Sequence, residues 1–379
     1  MRIVPWRGDG IRQPKRWVYR HPITSVRTLS LGVILLLGCS SGVSTTVTHS
    51  DIGDTRTALP DLSVVPDLAE DRTPDAETPP PIDVAPIPEA GVVERGPFPI
   101  ILVHGFAGFQ GIGPLTYFYR VADDLRRRGE VVYEPELPPF APPPTRAPVL
   151  AAAIRQALAE TGRSRVVLIA HSLGGLDARY LISTLGMGDR VAALVTVATP
   201  HRGTRLGDAF AGLLPGINLG ILDATATAIG AVYNDAPGRA EIRTTLAALS
   251  ERDAIVFNAH NPDDARVRYY SVAGRSNRRD GHAVCGDAVV ANQPSRVDVA
   301  FLLIAPLTLF LEGNDPDHLV NDGLLTVRSA RWGTFLGCYP ADHFDEVGQI
   351  AHQGPDFISG FDHIALYRDL VRRLRDDGF

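Results

Sequence analysis

The chain has one lysine, Lys15, among its 37 basic residues, and only three cysteines, two methionines and three tryptophans in 379 residues. Arginine in place of lysine reads as the codon bias of a GC-rich genome and bears on no function. Three cysteines without a Cys-x-x-Cys pair, and histidines without ligand spacing, leave no zinc-binding pattern. Net positive charge is confined to the first 38 residues. These carry seven Arg or Lys against one Asp, a charge of +6, so the rest of a chain at -6 stands at -12. Phosphate binding needs a basic face, so nucleic acid is excluded as a partner. Long apolar runs are also lacking near the start: Leu29–Gly38 spans about ten residues, too short for a hydrocarbon core of ~30 Å. No internal repeat is present.

That short run, preceded by basic residues through Arg27 and ending in Leu36-Leu37-Gly38-Cys39, has the form of an export signal. Residues 1–39 are therefore expected to be a lipoprotein-type signal with Cys39 as the lipidated mature N-terminus. The protein would then be exported and membrane-anchored. The alternative is a general secretory signal, a secreted protein and an incidental Cys39; the true start codon also stays open, because the basic region is long. Residues 40–97 are rich in Ser, Thr, Asp and Pro, include Pro79-Pro80-Pro81 and show no apolar periodicity, which predicts a disordered tether. With Cys39 assigned to lipid, Cys285 and Cys338 remain as an even pair in an oxidising compartment, and a disulfide is expected; two buried free thiols are the alternative.

From residue 98 the pattern changes to strands alternating with helices. Pro99–Val103 reads as a buried strand, Leu115–Arg128 as an amphipathic helix closed by Gly129, and Val131–Tyr133 as a second strand. Pro148 marks a helix start, with Gly162 at its end. Strands are expected at 166–170, from Val191, and at Arg266–Val272, a buried helix over 298–311, and a terminal amphipathic helix from His363. This order predicts an α/β protein with a mostly parallel central sheet covered by helices on both faces. Residues 204–250 hold a stretch, AFAGLLPGINLGILDATATAIGAVY, more apolar than a surface helix; a helical lid over a greasy site is expected, a plain helical excursion being the alternative.

Residues 166–175 read VVLIAHSLGG. An apolar strand, a small residue two places either side of Ser172, and an amphipathic helix from Leu176 form a nucleophile elbow, which thrusts a serine hydroxyl out of a sharp turn. A serine hydroxyl attacks only when a base takes its proton, and in this architecture the partners follow in the order Ser, acid, His. Position favours Asp322, in the turn Asn321-Asp322-Gly323, and His343, in a polar loop near the end of the chain. Asp315 and Asp317 compete for the acid, His318 and His352 for the base. The backbone N–H groups of Leu173 and Phe106 would form an oxyanion hole. His104, His171 and His201 are expected to fix loops.

Five blocks, HGFAGF at 104–109, AHSLGG at 170–175, ATPHRG at 198–203, NDGLLTV at 321–327 and DHFDEVGQ at 342–349, together resemble the bacterial triacylglycerol lipases of the Pseudomonas and Burkholderia type, in family order over nearly all of 98–379. The resemblance implies an α/β-hydrolase domain over 98–379, Ser172 as nucleophile, Asp322 as acid, His343 as base, and Phe106 and Leu173 as oxyanion donors. It also implies a structural Ca2+ held by oxygen ligands. Asp345 and Gln349 would contribute side chains, Gln353 its backbone carbonyl and Asp298 a further carboxylate; Asp280 and Asp287 are alternatives to Asp298, and a plain helix start is the alternative to any ion. No organic cofactor is implied. Ala170 replaces the usual glycine, Leu173 replaces a histidine, and 204–265 matches no motif. Such lipases often need a dedicated foldase, a requirement that a tethered form need not share.

The sequence thus points to a serine hydrolase of carboxylic esters, most directly a triacylglycerol lipase acting on lipid. A short-chain carboxylesterase, or a phospholipase or acyltransferase on the same triad, shares every motif; a non-catalytic surface lipoprotein would use the scaffold alone.

Overall fold

The computed structural model describes residues 94–108, 117–214, 239–276, 285, 304–312, 320–348, 355–356 and 359–379. The chain divides into two units, 1–80 and 81–379, and every described residue belongs to the second. The expected signal, Cys39 and most of the tether lie outside the described residues. Glu94, within the expected tether, packs on the loop before β3, its carboxylate accepting from Ser164 N–H at 3.3 Å.

Six parallel strands form the sheet: β1 (Ile100–Val103), β2 (Val132–Tyr133), β3 (Val166–His171), β4 (Val191–Val197), β5 (Arg268–Gly274) and β6 (Thr334–Tyr339), in the order β2-β1-β3-β4-β5-β6. β1, β3 and β4 are buried along their whole length. Such near-continuous apolar runs suit parallel strands covered on both faces. Successive side chains point to opposite faces, so Ile100 and Leu102 join one core while Ile101 and Val103 join the other. The first core packs α1 (Val121–Arg127) and the terminal helix (His363–Asp376) through Leu125, Leu366 and Leu370. The second packs α2 (Pro143–Thr161) and α3 (Leu173–Ser183) through Leu150, Ile154 and Leu181. Each fully buried aliphatic side chain contributes about 1.5–3 kcal/mol, so two such layers hold the sheet flat against its helices.

Three expectations shift. The helix expected to begin at Pro148 begins at Pro143, whose ring suits the first turn; Pro148 sits inside and forgoes one hydrogen bond. Val121, not Leu115, opens α1, after a turn through Arg120 at φ 59°. β6 carries no clear strand signal, because Gly337 interrupts its six residues.

Helices α4 (Arg205–Phe210), α5 (Arg239–Ala247) and α6 (Glu251–His260) follow β4. Thr204 and Ser250 cap α4 and α6 with their hydroxyls, as favoured N-cap residues do. Leu206 and Ala209 of α4 pack on Ile304, Leu307 and Leu311, the last two from α7 (Ala305–Glu312). Residues 215–238, the middle of the expected lid, lie outside the described residues. A short helix α8 (Val327–Ala330) leads into β6, and α9 is the terminal helix, His363–Asp376. Cys285 and Cys338 are joined by a disulfide within an apolar cluster that includes Ala198, Ala273 and Val327.

Candidate active site

The carboxyl ends of the strands deliver the polar residues, at the edge where ligands bind in parallel α/β sheets. Ser172 stands between the last residue of β3 and the first of α3, at φ 54° and ψ -130°. A non-glycine residue at positive φ is strained, and the strain survives because both flanks are tied. Ser172 N–H donates to Val197 O at 2.9 Å, and Ser172 O accepts from Thr199 Oγ1 at 2.8 Å. A Cβ on Gly174 would lie 2.6 Å from Val103 O, so the helix after the serine can approach β1 only with glycine there. Ala170, where the family favours glycine, is buried and paired with Val103 and Thr196, and its methyl is accommodated in the core behind the sheet.

The serine hydroxyl donates to His343 Nε2 at 3.0 Å, and His343 Nδ1–H donates to Asp322 Oδ2 at 2.7 Å. Asp322 is buried, and its other oxygen accepts from the N–H groups of Leu324 and Leu325 at 2.8 Å each. His343 N–H donates to Asp322 O at 3.0 Å, so backbone as well as side chain joins the two loops. Asp342 steadies the histidine loop by accepting from Phe344 and Asp345 N–H at 2.9 Å. Acid, base and hydroxyl therefore form one hydrogen-bonded chain that can deprotonate the hydroxyl as it attacks an acyl carbon and then return the proton to a leaving alcohol. The three residues chosen from sequence are the three that come together. Asp315, Asp317, His318 and His352 lie outside the described residues.

The expected oxyanion donors, the N–H groups of Leu173 and Phe106, both belong to the backbone beside Ser172. Leu173 is the first residue of α3, so its N–H has no carbonyl one turn back to receive it. Gly105 abuts the serine: a Cβ there would lie 2.7 Å from Ser172 Cβ and 2.7 Å from the Tyr117 hydroxyl. Phe106 follows directly, its ring edge-on to Phe140 at 5.3 Å. His104 fixes this loop, donating from Nδ1 to Gly105 O at 2.9 Å while Nε2 accepts from Leu137 N–H at 2.8 Å. Burial foremost, then Arg146, holds His104 down at about 3, so the ring stays neutral and can fill both roles. His201 is likewise kept neutral by burial and stacks on Trp332 at 5.0 Å.

Behind the triad lies a cluster that sequence reasoning missed. Tyr117, His171 and Glu346 are buried in a row: Tyr117 Oη is 2.7 Å from His171 Nδ1, and His171 Nε2 is 3.1 Å from Glu346 Oε2. Glu346 Oε2 also lies 3.9 Å from His343 Nδ1, and the rings of His171 and His343 sit 4.5 Å apart. Burial, then the charges of Asp322 and Asp342, push the Glu346 carboxyl well above the usual range. Protonated, it donates to His171 Nε2, and His171 Nδ1–H passes a hydrogen bond on to Tyr117. His171 is held neutral by burial and by His343. It therefore does more than fix a loop: it forms the back wall of the catalytic imidazole. The one signal in sequence was Glu346 three residues after His343. His171, His343 and Glu346 offer metal-ligand atoms within 4.8 Å of one another. Of the expected Ca2+ ligands, Asp345 begins a single 3-10 turn, while Asp298, Gln349, Gln353 and the alternatives Asp280 and Asp287 lie outside the described residues.

Sheet order, elbow and triad define the α/β-hydrolase fold, with the geometry of a serine nucleophile. The family described as alpha/beta hydrolase fold matches residues 99–227. The chain has the α/β-hydrolase fold and is similar to bacterial triacylglycerol lipases. It is 28% identical over 301 residues to the triacylglycerol lipase of Vibrio cholerae, covering 74% of this chain and 88% of that one. To the triacylglycerol lipase of Pseudomonas fragi it is 27% identical over 293 residues, covering 74% and 97%. Among solved structures, a metagenomic carboxyl esterase superposes with a TM-score of 0.52 at 20% identity, over 74% of this chain and 76% of that one. A Staphylococcus hyicus lipase gives 0.51 at 18% identity, over 76% and 99%. At these identities the superpositions speak for the fold.

Proposed function

We propose that this carboxylic ester hydrolase is a triacylglycerol lipase in which Ser172 is the nucleophile, His343 the general base and acid, and Asp322 the group that orients the imidazole. One observation carries the assignment of roles: the continuous chain from Ser172 Oγ through His343 to Asp322, at 3.0 and 2.7 Å. Ser172 Oγ attacks the ester carbonyl while His343 Nε2 takes its proton; the N–H groups of Phe106 and Leu173 receive the negative charge on the carbonyl oxygen. His343 then protonates the departing alcohol. Water, deprotonated by the same nitrogen, releases the fatty acid and restores the serine. The triacylglycerol substrate is supported by the similarity to lipases across most of the folded unit and by apolar side chains beside the polar ones, Phe106 on the oxyanion side and Phe344 next to His343.

A fluorophosphonate should label Ser172 once per chain, and Ser172→Ala should abolish hydrolysis of p-nitrophenyl esters and of emulsified triolein. Retained hydrolysis in that variant would overturn the assignment of the serine. Hydrolysis of p-nitrophenyl butyrate without any of triolein would leave the triad and replace the lipase by a short-chain carboxylesterase.

A further inference from the structure

Arg146 lies on α2 with no exposed surface, and its three terminal nitrogens are all engaged. Nε donates to Asp177 Oδ2 at 2.8 Å, Nη1 to Pro138 O at 2.7 Å and Nη2 to His104 O at 2.6 Å. Asp177 is as deeply buried and stands on α3, four residues after Leu173; its second oxygen has no hydrogen-bond partner among the described residues. Burial lifts the Asp177 carboxyl to about 6 even with the guanidinium opposing it, because a charge withdrawn from water is poorly solvated there. An ion pair withdrawn from water on both sides adds little net stability; apolar residues of equal volume would do as well or better. Its value must lie in what it holds.

What it holds are the two ends of the oxyanion hole. His104 O belongs to the peptide that leads into Gly105 and Phe106, a stretch outside any helix or strand, and nothing regular in the backbone sets where the Phe106 N–H points. Pro138 O belongs to the facing loop, to which Ala107 N–H is also tied through Pro139 O at 2.7 Å. Asp177 belongs to the helix whose first N–H is that of Leu173. We propose that Arg146 and Asp177 are positioning residues for ester cleavage: one buried guanidinium, oriented by a carboxylate on α3, sets the spacing between the loop that carries Phe106 and the helix that carries Leu173. A rigid planar fork spreads its donors over three nitrogens and so reaches three separated acceptors, whereas the three donors of an ammonium share one nitrogen on a flexible stem. The inference rests on the oxyanion roles assigned above.

The pair acts on the transition state, where charge sits on the carbonyl oxygen, and hardly on the bound ester. Loss of one oxyanion donor typically lowers kcat by about 100- to 1000-fold, and a displaced donor by less. Arg146→Lys is therefore expected to reduce kcat, counted per fluorophosphonate-titrated site, by roughly 10- to 100-fold with KM within about threefold of wild type. Asp177→Asn, which keeps the shape and removes the charge that orients Nε, should fall the same way by about tenfold. The rate of fluorophosphonate labelling should slow in step with kcat while its end point stays at one per folded chain. A merely structural pair would lower the melting temperature and the folded fraction and leave kcat per site alone. The proposal is overturned if kcat per site stays within threefold of wild type in Arg146→Lys, or in Asp177→Asn where Arg146→Lys does not fold. Ser172→Ala, run beside them, separates the two questions: if it stays active the triad assignment fails, and if it is dead while both pair variants are unimpaired this inference alone fails.

Discussion

Gly105→Ala probes how closely the oxyanion loop must approach the nucleophile. The added methyl would lie 2.7 Å from Ser172 Cβ, 2.7 Å from Tyr117 Oη and 3.0 Å from His171 O. Carbon atoms rest at about 3.5–4.0 Å, so the loop must retreat by roughly 0.8 Å or more. None of the three neighbours can swing aside. Ser172 Cβ is fixed by the elbow, His171 O is the end of β3, and the Tyr117 hydroxyl is held by its hydrogen bond to His171. A misplacement of about 1 Å at a reacting centre costs on the order of 100-fold in rate, and overpacking a tight contact costs about 1–3 kcal/mol of stability. The measurement is kcat on p-nitrophenyl esters divided by the fluorophosphonate titre, so that unfolded chains do not count. Gly162→Ala is the control. Gly162 closes α2 at φ 68° with open space around it, so alanine there meets backbone strain of about 1 kcal/mol but no clash, and kcat per site should not change. If Gly105→Ala keeps kcat per site within threefold of wild type, the close approach is not what holds the hole in register.

Two further predictions concern stability. Burial holds His104, His171, His201 and His363 below the ordinary histidine value in the folded protein. The unfolded chain gains those protons as pH falls through about 6.5 and the folded one does not, so stability is full above that value and is lost as pH drops from 6.5 toward 5. Asp177, raised to about 6, and Glu346, raised well above the carboxylate range, oppose this in the folded state by at most one proton each, two against four. The melting temperature should fall from pH 6.5 to pH 5, where four histidine protons outnumber two carboxyl protons; a flat or rising profile over that window would refute this balance. Opening the Cys285–Cys338 bridge frees a loop with a separation of 53 residues, worth about 4 kcal/mol by chain entropy. The variant with both cysteines changed to serine should melt roughly 10 °C lower, and a drop under 2 °C would count against the entropic account.

Ser172 was legible in sequence because its signal is local: four apolar residues of a fully buried strand, then small residues where two chains must nearly touch. Asp322 and His343 followed from chain order and from the short polar turns that hold them. Arg146, Asp177 and Glu346 were not legible. A charged residue in a helix reads as solvent-facing, and its burial depends on partners 31 residues away for Arg146 and 175 for Glu346. β6 escaped for a different reason. Its burial comes from neighbours, and Gly337 removes the apolar continuity that marks β3 and β4. Pro148 misled because proline is tolerated within a helix when the sheet packing on either side outweighs one lost hydrogen bond.

Gly96 N–H donates to Gly378 O at 3.1 Å, so the residues leading into β1 lie beside those that follow α9. Both lie at the amino ends of strands whose carboxyl ends carry Ser172. Six residues of β3 at about 3.3 Å each put roughly 20 Å of packed sheet between them. A support, dye or partner coupled at either residue 94 or residue 379 is thus attached to the same corner. The edge that carries Ser172 is left pointing away from it, whichever of the two is chosen.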